Sequence, residues 1–344
     1  MIKNYLKIAL RNLAKNKVYS FINIGGLSVG MAVAMLIGLW IYDELSFNTY
    51  HKDYQRIAQV MQHQTGNGQV FSQNAIPFPL GKELRSVYGS NFKYLAMSSW
   101  QGDHILTFGE TKLSKSGCYM EAEAPKLLSL NMLKGTTDGL KDPNSILLSV
   151  SSAKAIFGEA DPMNKMMKID NQLDVKVTGI YEDIPYNNRF KELNFIAPWE
   201  LYVASENWIK NARDQNQWGN NSFQLFVQIA ENTEMEKVSA NIKNAKLNRV
   251  GKEEKKYKAE IYLNPMHDWH LRSHWDNNGI KTGGPIEYVW LFGIVGIFVL
   301  LLACINFMNL STARSEKRAK EVGIRKAIGS MRGQLKVNFL VSRS

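Results

Sequence analysis

The sequence has only two cysteines, which excludes a disulfide-dense scaffold. Cys118 lies in polar sequence and Cys304 in a long apolar run, so they do not read as a pair. Cys118 alone reads as a small buried apolar residue rather than a nucleophile. Also missing are G-x-x-x-x-G-K-[ST], G-x-S-x-G, H-E-x-x-H and C-x-x-C. The first absence removes the P-loop route to ATP hydrolysis, and with the others no catalytic signature remains. Apolar residues make up 45% of the 344 and charged residues 21%, which excludes a collagen-like, low-complexity or wholly disordered chain.

What is abundant is positive charge, and its placement matters more than its amount. The formal net charge is +11, which invites a nucleic-acid reading. Residues 1–42 carry +5 with no acid, and residues 286–344 carry +6 from nine bases and three acids. The intervening 43–285 balances 28 bases against 28 acids. No basic face is needed in the body of the protein, so no nucleic-acid partner is expected.

Each basic end flanks an uncharged apolar run, Phe21–Tyr42 (22 residues) and Tyr288–Ala313 (26 residues). At about 1.5 Å per helical residue, both exceed a hydrocarbon core of roughly 30 Å. Two transmembrane helices are therefore expected, at 18–42 and 286–313. The mean hydropathy of −0.26 hides them because a polar middle dilutes two apolar ends. Five bases precede the first run and Asp43-Glu44 follow it. Glu287 precedes the second, and Arg314, Lys317, Arg318 and Lys320 follow it. By the positive-inside rule both termini are cytoplasmic and 43–285 lies outside. Trp40-Ile41-Tyr42-Asp43 offers no small-residue cleavage site, so the first run reads as an anchor rather than a signal peptide.

Gly26, Gly30 and Ala34 recur every four residues, with Gly38 continuing the face, and small residues let membrane helices approach closely. Before them, Lys3, Lys7, Arg11 and Lys15 form a basic stripe and Ile2, Leu6, Ala9 and Leu13 an apolar one. Residues 1–17 thus read as an amphipathic helix lying on membrane lipid.

The region between the spans reads as α+β. Ile57 to Met61 and Phe92 to Trp100 look strand-like, and Asn67-Gly68 signals a tight turn leading to Val70-Phe71. Leu80, Leu84 and Val87 have helical spacing. Leu173, Val175 and Val177 alternate with polar residues as on a half-buried strand, and Phe223, Leu225, Val227 and Ile229 do likewise. Thr233 and Glu236 have capping-box spacing, opening a helix with Met235, Val238, Ile242 and Ala245 on one face. Tyr257, Ala259, Ile261 and Leu263 suggest a closing strand. Two lobes are expected, with a boundary near 200–220. His267, His270 and His274 would share a face if helical and could then bind Zn²⁺ or Cu²⁺. Pro265, Trp269, Leu271 and Trp275 favour a structural role at a domain–membrane junction, and no metal site is expected.

After the second run, 314–344 begins with a charge-dense stretch, Arg314 to Gly329. It reads as a membrane helix prolonged into the cytoplasm, with a break around Gly329 and a short helix over Met331–Leu340. Here the sequence resembles the FtsX/MacB-type permeases of ABC transport systems, in three pieces. Leu6-Lys-Ile-Ala-Leu-Arg-Asn-Leu13, with Lys15-Asn-Lys-Val-Tyr-Ser-Phe-Ile-Asn-Ile24 and Asp43-Glu-Leu-Ser-Phe47, resembles the family's opening helix and first span. Phe157-Gly-Glu-Ala-Asp-Pro162, Val177-Thr-Gly-Ile180 and Asp183-Ile-Pro185 resemble its MacB-like periplasmic core. Ala303-Cys-Ile-Asn-Phe-Met-Asn-Leu310 and Glu321-Val-Gly-Ile-Arg-Lys-Ala-Ile-Gly329 resemble the end of its second span and its cytoplasmic coupling segment.

The resemblance implies a two-lobed (porter and sabre) periplasmic domain, four spans, a dimeric permease and a separate cytoplasmic ATPase that binds the ATP and Mg²⁺. No cofactor and no catalytic residue is expected in this chain. It also leaves room for a periplasmic adaptor or outer-membrane channel as partner. The sequence ends at Ser344, inside the segment that would lead to a third span, and so reads as a fragment or truncated product. In the coupling reading, Glu321, Arg325 and Lys326 make polar contacts with the ATPase. Gly323 and Gly329 permit close approach or a bend, and Ile324 and Ile328 fill its groove. A two-span sensory receptor shares this topology, but it calls for a sustained heptad pattern after the second span, which Arg314–Gly329 lacks.

Overall fold

The computed structural model describes residues 17–327. The amphipathic helix expected over 1–17 and the short helix expected over Met331–Leu340 lie outside those residues, apart from Lys17. The chain divides into two compact units, one holding both apolar runs and the other spanning Glu44–Ile286.

The first unit is helical, with α1 over Lys17–Leu45 and α10 over Ile286–Ala327. In the second unit the elements run in this order: β1 Ile57–Gly66, β2 Gln69–Gln73, β3 Ile76–Pro77, α2 Phe78–Val87, β4 Phe92–Ser98, β5 Gly102–Phe108 and β6 Thr111–Met120. There follow α3 Ala124–Leu127, β7 Met132–Gly135, β8 Ser145–Ser149, α4 Val150–Phe157, β9 Met166–Ile169, β10 Leu173–Tyr181 and β11 Phe195–Pro198. The return is made by α5 Trp199–Ser205, α6 Asn207–Asp214, β12 Asn221–Ile229, α7 Met235–Ile242, α8 Lys252–Lys255, β13 Glu260–Pro265, α9 Asp268–Leu271, β14 His274–Trp275 and β15 Lys281–Gly283.

These strands build two structures joined at one seam. The first is an antiparallel sheet in the order β4-β12-β1-β13. Its inner face (Val60, Leu95, Leu225, Val227, Ile261) is covered by α2, α5, α6 and α7 through Leu80, Trp199, Ile209 and Val238. The second is a ring. β11 pairs with β8, β8 with β10, β10 with β9, β9 with β5, β5 with β6, and β6 returns to β11. Closing removes free strand edges, and Leu106, Ile146, Val175, Val177 and Phe195 fill a core there. The seam is the single pairing of Ser98 with Met120. It is backed by a third apolar cluster that takes Ile57, Ala96 and Phe226 from the sheet and Cys118, Leu147, Tyr181 and Ile196 from the ring.

The first lobe is thus discontinuous in sequence. It takes residues 57–98 and 199–265, and the ring occupies most of the segment between. The expected boundary at 200–220 lies within the returning segment, where α5 and α6 already pack on the first sheet. The other crossing, after Ser98, has no composition shift to mark it.

The Asn67-Gly68 turn joins β1 to β2 as anticipated, with both residues at positive φ, 51° and 78°, the geometry of a type I′ hairpin. Three local expectations need correction. Val87 is exposed, although Leu80 and Leu84 are buried. β12 is buried on both faces, because Gln224, Phe226 and Gln228 meet the shared cluster side. Thr233 and Glu236 form no capping box: Glu234 occupies the N-cap without a side-chain bond, and the Thr233 hydroxyl donates to the Ala230 carbonyl at 2.7 Å.

Candidate functional site: the helix pair and the coupling helix

The most apolar 18 residues within Ile24–Leu45 and within Ile286–Asn309 have mean hydropathies of 2.1 and 2.7. Both are long enough to cross a bilayer. Leu36, Leu39, Trp290 and Leu302 are each about two-thirds exposed, which the buried core helix of a soluble protein would not allow.

The two helices meet along small residues. A Cβ on Gly30 would lie 2.8 Å from the Ala303 Cβ, and one on Gly26 would lie 3.2 Å from Asn306 Nδ2. Farther along, Gly296 faces Ile37 at 3.2 Å and Gly293 faces Ile41 at 3.7 Å. These pairs run in opposite directions along the two chains, so the helices are antiparallel. Trp40 packs edge-on against Phe292 with centroids 5.1 Å apart. Ala34 is half-buried, whereas Gly38 meets nothing within 4 Å and does not extend the contact. The stripe on α1 was visible in sequence through Gly26 and Gly30. Its counterpart on α10 (Gly293, Gly296, Ala303) was not, because large apolar residues (Ile, Val, Leu and Phe298) at every intervening position leave no periodicity.

α10 does not stop where its apolar run ends. It is a single helix of 42 residues, about 63 Å at 1.5 Å per residue. Gly323 lies inside it with nothing within 4 Å, so it neither breaks nor crowds the helix here. Ile324 is 55% exposed, an apolar side chain on the segment beyond the apolar run. Glu321, Arg325 and Lys326 sit on the same final turns, but their side chains lie outside the description. Ile328 and Gly329 lie beyond the described residues.

The three histidines do not converge. α9 is only four residues long, and His274 falls in β14. His270 Nε2 lies 2.6 Å from Glu44 Oε2, with its ring stacked on Phe47. His267 stands beside Asp268, and Asp268 is held by Lys281 and Arg272 at 2.6 and 2.9 Å. Those cations and that histidine draw the Asp268 carboxyl below its ordinary value against the opposing effect of burial, the largest single influence. Among the described residues no cluster could hold a metal ion.

Sequence reasoning missed one buried charge. Lys246 is 1% exposed. Its Nζ donates to Gln62 Oε1 at 2.8 Å and Asn221 Oδ1 at 2.7 Å. Burial pushes the ammonium down to about 8, and the neighbouring Glu254 carboxylate only partly opposes this. The signal was present, since Val238, Ile242 and Lys246 continue one stripe in steps of four.

The profile of the MacB-like periplasmic core domain family matches residues 20–245. Among solved structures, a domain of a putative permease from Porphyromonas gingivalis superposes with a TM-score of 0.52 at 13% identity, over 70% of this chain and 98% of that one. The periplasmic region of MacB from Actinobacillus actinomycetemcomitans gives 0.43 at 15% identity, over 60% and 88%. The extracellular domain of the noncanonic ABC-type transporter YknZ from Gram-positive bacteria gives 0.43 at 12%, over 60% and 99%. No curated protein matches the chain significantly. The match covers well over half of the chain and its interspan fold agrees. The protein belongs to the MacB-like periplasmic core domain family, and so to the permeases of ABC-type transporters.

Proposed function

We propose that this chain is the permease subunit of a mechanotransmission system, in which a separate cytoplasmic ATPase drives movement of the interspan domain. The observation that carries this reading is the unbroken course of α10 from Ile286 through Ala327. A helix is stiff along its axis, so a displacement applied near Glu321–Ala327 travels to the other end rather than dissipating in a linker. In this reading both chain ends are cytoplasmic, residues 43–285 are periplasmic and the membrane is the inner one. The ATPase binds the ATP and Mg²⁺. A second permease chain completes a dimer, and a periplasmic adaptor or outer-membrane channel can extend the path. Cargo of antimicrobial, peptide or lipoprotein type suits the family, and no residue here selects among them.

Glu321, Arg325 and Lys326 are assigned polar contacts with the ATPase, Ile324 and Ile328 apolar ones, and Gly323 and Gly329 close approach. Arg325→Glu and Ile324→Asp should each reduce co-purification of the ATPase at least several-fold while leaving permease levels unchanged. Undiminished association in both variants would refute the assigned contact.

A further inference from the structure

Lys246 is buried with no carboxylate within ion-pair distance, although the Glu254 charge acts on it from farther away. Two of its three N–H donors reach the amide oxygens of Gln62 and Asn221. Among the described residues no ion pair and no third acceptor completes its shell. An ammonium taken from water on those terms is costly, and a counter-charge brought to it offsets that cost. Lys246 lines a cavity of about 170 Å³, together with Gln64, Asn221, Tyr257 and Glu254. That cavity shares Gly219 and Glu254 with a wider cleft of about 530 Å³, which adds Trp218 and Asn220. Together they have the size of small-molecule sites, roughly 300–1,000 Å³.

The charges in this space are of opposite sign and unpaired with each other within ion-pair distance. Glu254 is half-buried and its carboxylate has no hydrogen bond or ion pair among the described residues. Gly219 lets it stand there: a Cβ at that position would clash with the Glu254 carboxylate. Arg249 also borders the cleft but is engaged by Glu83 at 2.9 Å, so it adds no free cation. A purely anionic ligand would be repelled by Glu254, and a cationic one by Lys246. Only a molecule carrying both charges satisfies both groups, and it would suit a domain whose own charges balance.

We propose that these joined cavities bind a zwitterionic small molecule of amino-acid type, its carboxylate on Lys246 and its ammonium on Glu254. Gln64 and Asn221 offer hydrogen bonds beside Lys246, and Trp218 and Tyr257 offer apolar faces for the ligand's side chain. This site does not depend on coupling to an ATPase.

The test is thermal unfolding of the full chain in detergent, read by tryptophan fluorescence, against each standard amino acid at millimolar concentration. Each is compared with its decarboxylated amine and its deaminated acid. At least one amino acid should raise the unfolding midpoint, and the matching amine and acid should not. Glu254→Gln and Lys246→Met should each weaken the effect about tenfold or more, the loss expected for one charged hydrogen bond. Glu254 has no bonds to lose, so its variant decides the matter even if Lys246→Met folds poorly. The proposal fails if no amino acid shifts the midpoint, if the acid or amine alone matches the amino acid, or if Glu254→Gln responds like the wild type.

Discussion

At the residue scale, Lys246 shows how a pattern can be legible while its content misleads. Positions 238, 242 and 246 repeat every four residues, and the first two are apolar, so the stripe itself is readable. A lysine at the third position reads as the end of burial, because lysine is almost never fully buried. Only the tertiary fold supplies the amide oxygens of Gln62 and Asn221, more than 180 and 20 residues away respectively. The consequence for stability has a definite sign. The folded-state value is lowered to about 8 from an ordinary 10.5. Below pH 8 both folded and unfolded lysine are charged, and the folded state bears the full desolvation cost. Between about 8 and 10.5 the unfolded chain holds the proton more tightly, so stability rises with pH across that window. Tyrosine burial acts in the opposite sense at the upper end, raising Tyr119 and Tyr262. The difference between wild type and Lys246→Met isolates the lysine. Its urea-unfolding free energy should change by on the order of 2 kcal/mol between pH 7.5 and 10 in favour of the wild type. A pH-independent difference would refute the burial argument.

At the element scale, turns and long apolar runs were the readable features, and pairings were not. Asn67-Gly68 specifies its hairpin locally, because both residues tolerate positive φ, so nothing distant is needed to predict it. The Thr233/Glu236 spacing failed for the converse reason: a cap bond requires the helix to start one residue after the hydroxyl, and here it starts at Met235 with Glu234 as N-cap. Both apolar runs became helices, yet which faces meet depends on Gly293, Gly296 and Ala303, which sequence spacing does not single out. The antiparallel contact makes a distinct prediction. In a Cys304→Ser background, Ile37→Cys with Gly296→Cys should cross-link readily, because a Cβ on Gly296 already approaches Ile37 at 3.2 Å. Adding Gly30→Leu, against Ala303 at 2.8 Å, should reduce the cross-linked fraction several-fold. Adding Gly38→Leu, where nothing lies within 4 Å, should leave it unchanged. Equal effects from both substitutions would mean that small residues do not set the approach.

At the scale of the whole molecule, charge and length carry the membrane reading, and the domain between the spans carries the family. The expected α+β class and two flanking apolar helices agree with the fold. The discontinuous first lobe was beyond reach, since β1 finds β12 and β13 only after the chain has built the entire ring. Orientation rests on the ends alone: +5 before the first run, and +6 over 286–344. Electrostatics retains such charge on the cytoplasmic side during insertion, and the proposed orientation, with the balanced middle outside, follows from that rule. Two single cysteines test this in the Cys304→Ser background, where Cys118 is buried and silent. Glu110→Cys lies exposed in the turn between β5 and β6, and Gly323→Cys lies exposed near the end of α10. Once the outer membrane is permeabilised, a membrane-impermeant maleimide should label Glu110→Cys in intact cells and reach Gly323→Cys only after lysis. The reverse pattern would place the domain in the cytosol and remove the basis for transmission across the bilayer. Labelling at both positions before lysis would mean that the two runs do not form a barrier-spanning pair, whatever their hydropathy.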